Sequence, residues 1–454
     1  MFHVEFRRRW LGVFAVMFGM QCTLAAQPSG GDELGTEAAR IRHVFIIVLE
    51  NKDFGDTFGG STQDPYLQKS LVPMGTLLTQ YYGTGHVSLG NYIAMISGQA
   101  PTPDTEDDCF PGMIGPIGNY NDVASTGITP DGQVIADAGC IYPVRVKTLV
   151  DQLESAGFTW KGYMEDMGND RARESTTCGH PPIGVKTDQT NTAEAPNAAV
   201  PEGDAYTTRH DPFAYFHSII DSPSCQKNVV NLQNLTTDIA QKSTTPNFSF
   251  ITPNLCHDGH DGSGTGAKGT TCANGEPGGL TSADAFLKLW VPRIMDSPAF
   301  RQDGLLIITF DESNYTLTQR TDTASGQKTV EVEFPGAACC NQPRGPNLGN
   351  TRPITTTLVN TPSLVQKVSI KGYGGDRIGA LLVSPFVKRG GTSNTAYNHY
   401  SLLRSIEDLF GLHEHLGYAA DNPQTGYHVD SICNDPNVFE RRSLKSSRRG
   451  TPES

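Results

Sequence analysis

The amino-acid sequence predicts an α/β fold built on a mostly parallel sheet that helices cover on both faces. Two observations carry this. Four short apolar runs stop abruptly in polar residues, as strands buried on both faces do: 43–50 (HVFIIVLE), 247–254 (NFSFITPN), 305–312 (LLIITFDE) and 378–385 (IGALLVSP). Between them apolar residues recur at helical spacing, and strand–helix alternation of this kind gives a parallel sheet.

The elements follow in chain order. The first run ends in Glu50-Asn51. Val146, Leu149, Val150 and Leu153 then mark a helix that Gly157 stops. After the second run, Ser282 is placed to cap a helix carrying Phe286, Leu289 and Trp290, with Pro292 expected to kink it or end its first part. The third run ends in Asp311-Glu312, and all four runs are read as strands of the parallel type. Leu402, Leu403, Ile406, Leu409 and Phe410 share one face of a last helix closed by Gly411. Stretches 101–139, 168–204, 259–279 and 316–371 are rich in Gly, Pro, Asp, Asn and Thr. They read as long loops of the kind that build an active-site rim.

Residues 40–435 are expected to form one catalytic domain, because neither an internal repeat nor a linker interrupts them. Residues 1–26 read as an export signal: Arg7, Arg8 and Arg9 precede an apolar run over 10–20, and Ala25-Ala26 suits cleavage. That run is too short to span a hydrocarbon layer of about 30 Å. Export by a Sec or twin-arginine route, to the periplasm or outside the cell, is the expectation. Residues 440–454 read as a disordered basic tail. A formal charge of −13 disfavours a nucleic-acid partner. Ten cysteines are present, and of the nine beyond Cys22 several are expected to pair as loop staples, the odd number leaving at least one unpaired.

The chemistry sits where the runs end, since ligands of open α/β sheets bind at the carboxyl edge. Glu50, Asn51, Asp311 and Glu312 at one edge would repel without a cation, and oxygen ligands suit Ca²⁺, Mg²⁺ or Mn²⁺ better than zinc. Ser88, in GHVSLGNY, lies just before an apolar helix. Free N–H groups at a helix start favour a bound phosphate, and a metal would activate the hydroxyl. His257 and His260, in HDGHD, could bind phosphate or protonate a leaving oxygen; His399 and His210 are isolated loop histidines. Ser88, Asp311 and His399 also occur in the chain order of a serine-esterase triad.

Taken together, HVFIIVLEN, GHVSLGNYIAMISG, QLESAGFTWKGYMEDM, RHDPFAYF, ITPNLCHDGHD, LIITFDES and GALLVSPFVKRGGTSNTAYNHYSLLRSIEDLFGL resemble the phosphoesterase family of acid phosphatases and phosphatidylcholine-type phospholipases C. The resemblance implies an alkaline-phosphatase-like, three-layer α/β/α sandwich. It makes Ser88 the nucleophile, passing through a phosphoserine, and Glu50, Asn51, Ser88, Asp311 and Glu312 metal ligands. It places His257, His260 and His399 in active-site blocks, and Glu165 and Asp166 behind them. Val87 and Gly90 stand where the family often has proline, and Lys52-Asp53-Phe54 departs from the phospholipase C branch. The expectation is therefore an acid-phosphatase-type hydrolase acting on a phosphate monoester. Alternatives are a phospholipase C acting on a phospholipid, a metal-free serine esterase, or a non-catalytic cation-binding protein.

Overall fold

The computed structural model describes residues 35–109, 120–185, 203–268 and 270–441. The expected signal, 1–26, lies outside them, as does the basic tail beyond Arg441. Glu440 accepts the backbone N–H of Glu37, and Arg441 bridges to Thr36.

The strands in chain order are β1 His43–Leu49, β2 Thr76–Tyr82, β3 Ser125–Ile128, β4 Val134–Ala136, β5 Trp160–Met164, β6 Val229–Asn231, β7 Phe248–Thr252, β8 Gly304–Phe310, β9 Thr316–Thr321, β10 Lys328–Phe334, β11 Ile354–Asn360, β12 Leu364–Ile370, β13 Ala380–Val383 and β14 Gly391–Asn398. Eight of them form the central sheet, ordered β14-β2-β13-β8-β1-β7-β5-β6. β1 pairs in parallel with β7 on one side and β8 on the other. Every residue of β1, β7 and β8 is buried, so both faces of the sheet are covered.

Side-chain alternation shows what covers each face. Phe250 is in register with Ile46 and meets Tyr92 of the helix Ser88–Ser97 edge-on. Phe45 points the other way and packs on Phe300 of the helix Pro298–Asp303, which follows the long helix Gly279–Asp296. Helices Leu149–Ser155 and His399–Leu409 both contact the Ser88–Ser97 helix. The fold is thus the expected α/β/α sandwich around a mostly parallel sheet.

Three local expectations change. The run at 378–385 is a strand, but β13 lies antiparallel to both β8 and β2. A continuous apolar run signals burial on both faces, not direction. Here the chain returns to the carboxyl edge, where Ser313 N–H donates to Gly375 O, so it re-enters the sheet without a crossover. Residues 316–371 are not one long loop: four strands within them form a second sheet, ordered β11-β12-β10-β9. Their threonines are β-branched strand formers, and Val330, Val332 and Phe334 alternate as a half-covered strand requires. Ser282 is not the cap of its helix, which starts at Gly279 and runs past Pro292 to Asp296; its hydroxyl accepts the N–H of Gly278 from inside the first turn.

Three disulfides, Cys109–Cys140, Cys178–Cys225 and Cys256–Cys272, staple loops, a fourth joins the adjacent Cys339 and Cys340, and among the described residues Cys433 is the buried free thiol. No helix among the described residues is long and apolar enough to cross a membrane.

The helix Leu149–Ser155 opens with a capping box, in which Thr148 and Asp151 satisfy each other's backbone N–H. Thr148→Ala should therefore cost about 1 kcal/mol in chemical denaturation, with the unfolding slope unchanged. An unchanged midpoint would show that packing alone holds this helix.

Candidate active site

Ser88 is the first residue of its helix, and the turn before it is strained. Val87 has φ +73°, a region that β-branched residues rarely enter. Two contacts hold it there. Its N–H donates to both Glu312 oxygens, at 3.1 and 2.9 Å. Its side chain packs with Phe334, Val368 and Ile370 of the second sheet. The Ser88 hydroxyl is thereby aimed at the end of β1, where it donates to Glu50 Oε1 at 2.6 Å.

Glu50 is fully buried, and burial alone would raise its carboxyl. The charge and hydrogen bond of His210 outweigh that, helped by His260 and Arg209, and hold Glu50 well below the usual range. His210 Nε2 lies 2.9 Å from Glu50 Oε1, and its ring stacks on Tyr92. Asp258 and Asp311 respond in the opposite direction. Burial first, then the charge of Glu50, pushes both well above the ordinary aspartate value.

Asp311 Oδ1 accepts the backbone N–H of Asn51 at 3.0 Å and of Glu312 at 2.7 Å, tying the ends of β1 and β8 together. Glu50 Oε2, Asn51 Oδ1, Asp258 Oδ2 and Asp311 Oδ2 are buried with no hydrogen-bond partner. Buried acceptors are rarely left this way. Glu50, His210 and Asp258 also each present a ligand atom within 4.8 Å of one another. This donor set fits a divalent cation.

Glu312 is engaged differently. Besides Val87 N–H, its carboxylate bonds His86 Nδ1, whose Nε2 lies 2.8 Å from Asp376 Oδ2. Burial would lower the His86 ring, but Glu312 and Asp376 raise it to about 9. Glu312 thus holds a histidinium and the serine turn.

The three expected histidines separate. His260 lines the same cavity as Ser88, Asn51, Asp108 and Glu312, with Nδ1 3.2 Å from Asn51 Nδ2. His257 lies between Glu165 and Glu276, at 2.9 and 2.8 Å, beside a different cavity. His399 is buried, its ring nitrogens taken by Tyr81 Oη and the Asp311 carbonyl, and burial lowers it to about 4. The Ser88–His399–Asp311 triad of a serine esterase is therefore not assembled. Asp166 accepts the Ala205 N–H, and Glu165 bonds Asn254 N–H and His257.

His210 and Asp258 are the members that sequence reasoning undervalued. Asp258 was legible as the acid inside HDGHD. His210 gave a weaker signal, an isolated histidine before Asp-Pro, and only the fold brings it to Glu50.

The loop presenting His210 is anchored by Asp211, which accepts Phe213 N–H at 3.1 Å and Tyr206 Oη–H at 3.1 Å. Burial raises the Asp211 carboxyl to about 7. The folded state then binds a proton the unfolded chain releases near pH 4, so this contribution is present at low pH and lost as pH rises toward 7. Its slope is about 1.4 kcal/mol per pH unit. Asp211→Asn should flatten stability between pH 4 and 7, read by denaturant titrations across that range; an unchanged slope would refute the shift.

Residues 61–413 match the family described as "Phosphoesterase family". A probable acid phosphatase of Kluyveromyces lactis is 24% identical over 277 residues, covering 61% of this chain and 49% of that protein. An acid phosphatase of Aspergillus fumigatus is 22% identical over 276 residues, covering 61% and 46%. The chain spans about half the length of these curated relatives. In structure it resembles a protein of the alkaline phosphatase superfamily from Vibrio parahaemolyticus, at 11% identity over 82% of this chain and 67% of that one, with a TM-score of 0.40. The matched stretch spans Ser88, His210, Asp258, Asp311 and Glu312, with Glu50 and Asn51 ahead of it, and the chain belongs to the phosphoesterase family.

Proposed function

We propose that this protein is a metal-dependent phosphoric-ester hydrolase of acid-phosphatase type, with Ser88 as nucleophile. The observation that carries this is the Ser88 hydroxyl bonded to Glu50 at 2.6 Å, inside a set of buried acids with unpartnered oxygens. Glu50, Asn51, Asp258 and Asp311 would hold the cation, and Ser88 Oγ lies beside them. Bound there, a divalent ion supplies Lewis acidity, relieving the acids' repulsion and favouring charge on phosphoryl oxygens.

The chain's own residues do the rest. Ser88 Oγ attacks phosphorus while its proton passes to ionised Glu50, which His210 steadies through Nε2. The new O–P bond forms as the ester O–P bond breaks. His260, on the cavity wall, is the group placed to give the departing alcohol its proton. Water then attacks the phosphoserine, giving a proton to His260 while Glu50 returns its proton to Ser88 Oγ, so that hydroxyl, base and acid are all restored. His86 and Glu312 act by holding Val87, and hence Ser88, in position.

We place this activity in an extracellular or periplasmic setting. The basic and apolar residues of 1–26 and the four disulfides both favour an oxidising compartment.

Ser88→Ala should lower p-nitrophenyl phosphate turnover by at least about a thousandfold with the fold intact by circular dichroism. Wild-type turnover in that variant would refute the nucleophile. A chelator should abolish activity, and adding back a divalent cation should restore activity and raise the thermal midpoint. Activity and midpoint indifferent to both treatments would remove the metal from the mechanism.

A further inference from the structure

The cavity that Ser88 lines takes Asn51, Val87, Asp108, His260 and Glu312 from the serine side. Val332 and Phe334 from β10, Leu358 from β11, and Gln366 and Val368 from β12 form the rest of its lining, with Tyr315 beside them. The inserted second sheet is thus a wall of the reaction site. Tyr315 meets His260 edge-on on one side and Phe334 on the other, so this wall is continuous with the histidine.

A phosphoryl group gains nothing from Val332, Phe334, Leu358 and Val368, because an anion beside an apolar surface loses water without compensation. An apolar group on the same substrate does gain. Val332 and Leu358 are only half-buried and so leave apolar surface for a ligand to cover. The cavity holds about 240 Å³, room for a phosphoryl group with one ring or a short chain.

We propose that the β10–β12 wall is the leaving-group subsite, and that it selects phosphate monoesters of compact apolar alcohols, aryl above all. This rests on the phosphoester-hydrolase reading and deepens it by naming the substrate class. Gln366 supplies one amide on the same wall, able to orient a polar substituent of such an alcohol.

The test separates ring recognition from leaving-group reactivity by using inhibitors that are not cleaved. Inhibition constants of phosphate, methylphosphonate and phenylphosphonate would be measured on the full chain with saturating divalent cation. Phenylphosphonate should bind about tenfold more tightly than methylphosphonate, from burial of the ring. Leu358→Asn should shrink that advantage toward unity and leave the constant for phosphate unchanged. Val332→Thr, a near-isosteric change on the same wall, should act in the same direction if Leu358→Asn fails to fold.

If phosphate and methylphosphonate inhibit a Ser88-dependent activity but the ring adds nothing, or both variants keep the full ring advantage, the subsite is refuted while the hydrolase reading stands. Faster hydrolysis of a short-chain phosphatidylcholine than of phenyl phosphate would likewise overturn it. If phosphate does not inhibit and Ser88→Ala loses nothing, the hydrolase reading fails and the subsite falls with it.

Discussion

Charge repulsion among buried carboxylates is the constraint around which this structure is arranged. Glu50, Asp258, Asp311 and Glu312 meet at the carboxyl edge of one sheet with almost no exposure to water. Such a group cannot ionise fully unless each charge finds a partner. Glu50 has His210, and Glu312 has His86, which Asp376 also contacts. Asp258 and Asp311 retain buried oxygens without a hydrogen bond, His210 Nδ1 standing 3.7 Å from that of Asp258. The deficit in positive charge sits beside the serine hydroxyl, where a cation and a phosphoryl group would both be drawn.

The second consequence concerns backbone geometry. Holding a valine at φ +73° costs free energy, on the order of 1–3 kcal/mol, and strain of this kind persists only where neighbours overdetermine it. Here the neighbours come from two places: the Glu312 carboxylate at the end of β8, and the apolar face of the second sheet packed on Val87. The insertion between β8 and β13 therefore does two jobs. It fixes the approach of Ser88 and it walls the cavity into which Ser88 opens. Glu312, close to the acid cluster, contributes by positioning the turn.

Much of the site was legible because each chemical residue adjoins a strong periodic signal. Glu50-Asn51 and Asp311-Glu312 terminate two of the most apolar runs in the chain, and Ser88 opens a short buried helix. His210 escaped because its meaning is a contact across 160 residues of sequence, which no local pattern encodes. The second sheet escaped because its exposed strands lack a continuous apolar run, so its threonines and charges read as loop. The direction of β13 was hidden because burial on two faces leaves the same composition whichever way a strand runs.

The sequence by itself determined the fold class, the acids at the strand ends, the serine at the helix start and the oxidisable cysteines. These follow from local hydrophobic period and residue chemistry, which act over a few residues. Tertiary structure decided the rest: which histidine meets Glu50, that Asp258 joins the cluster, that Glu312 turns to His86, and that an inserted sheet closes one side of the cavity. Those outcomes depend on loop closures over tens to hundreds of residues, where packing and electrostatics choose among partners that sequence leaves equivalent.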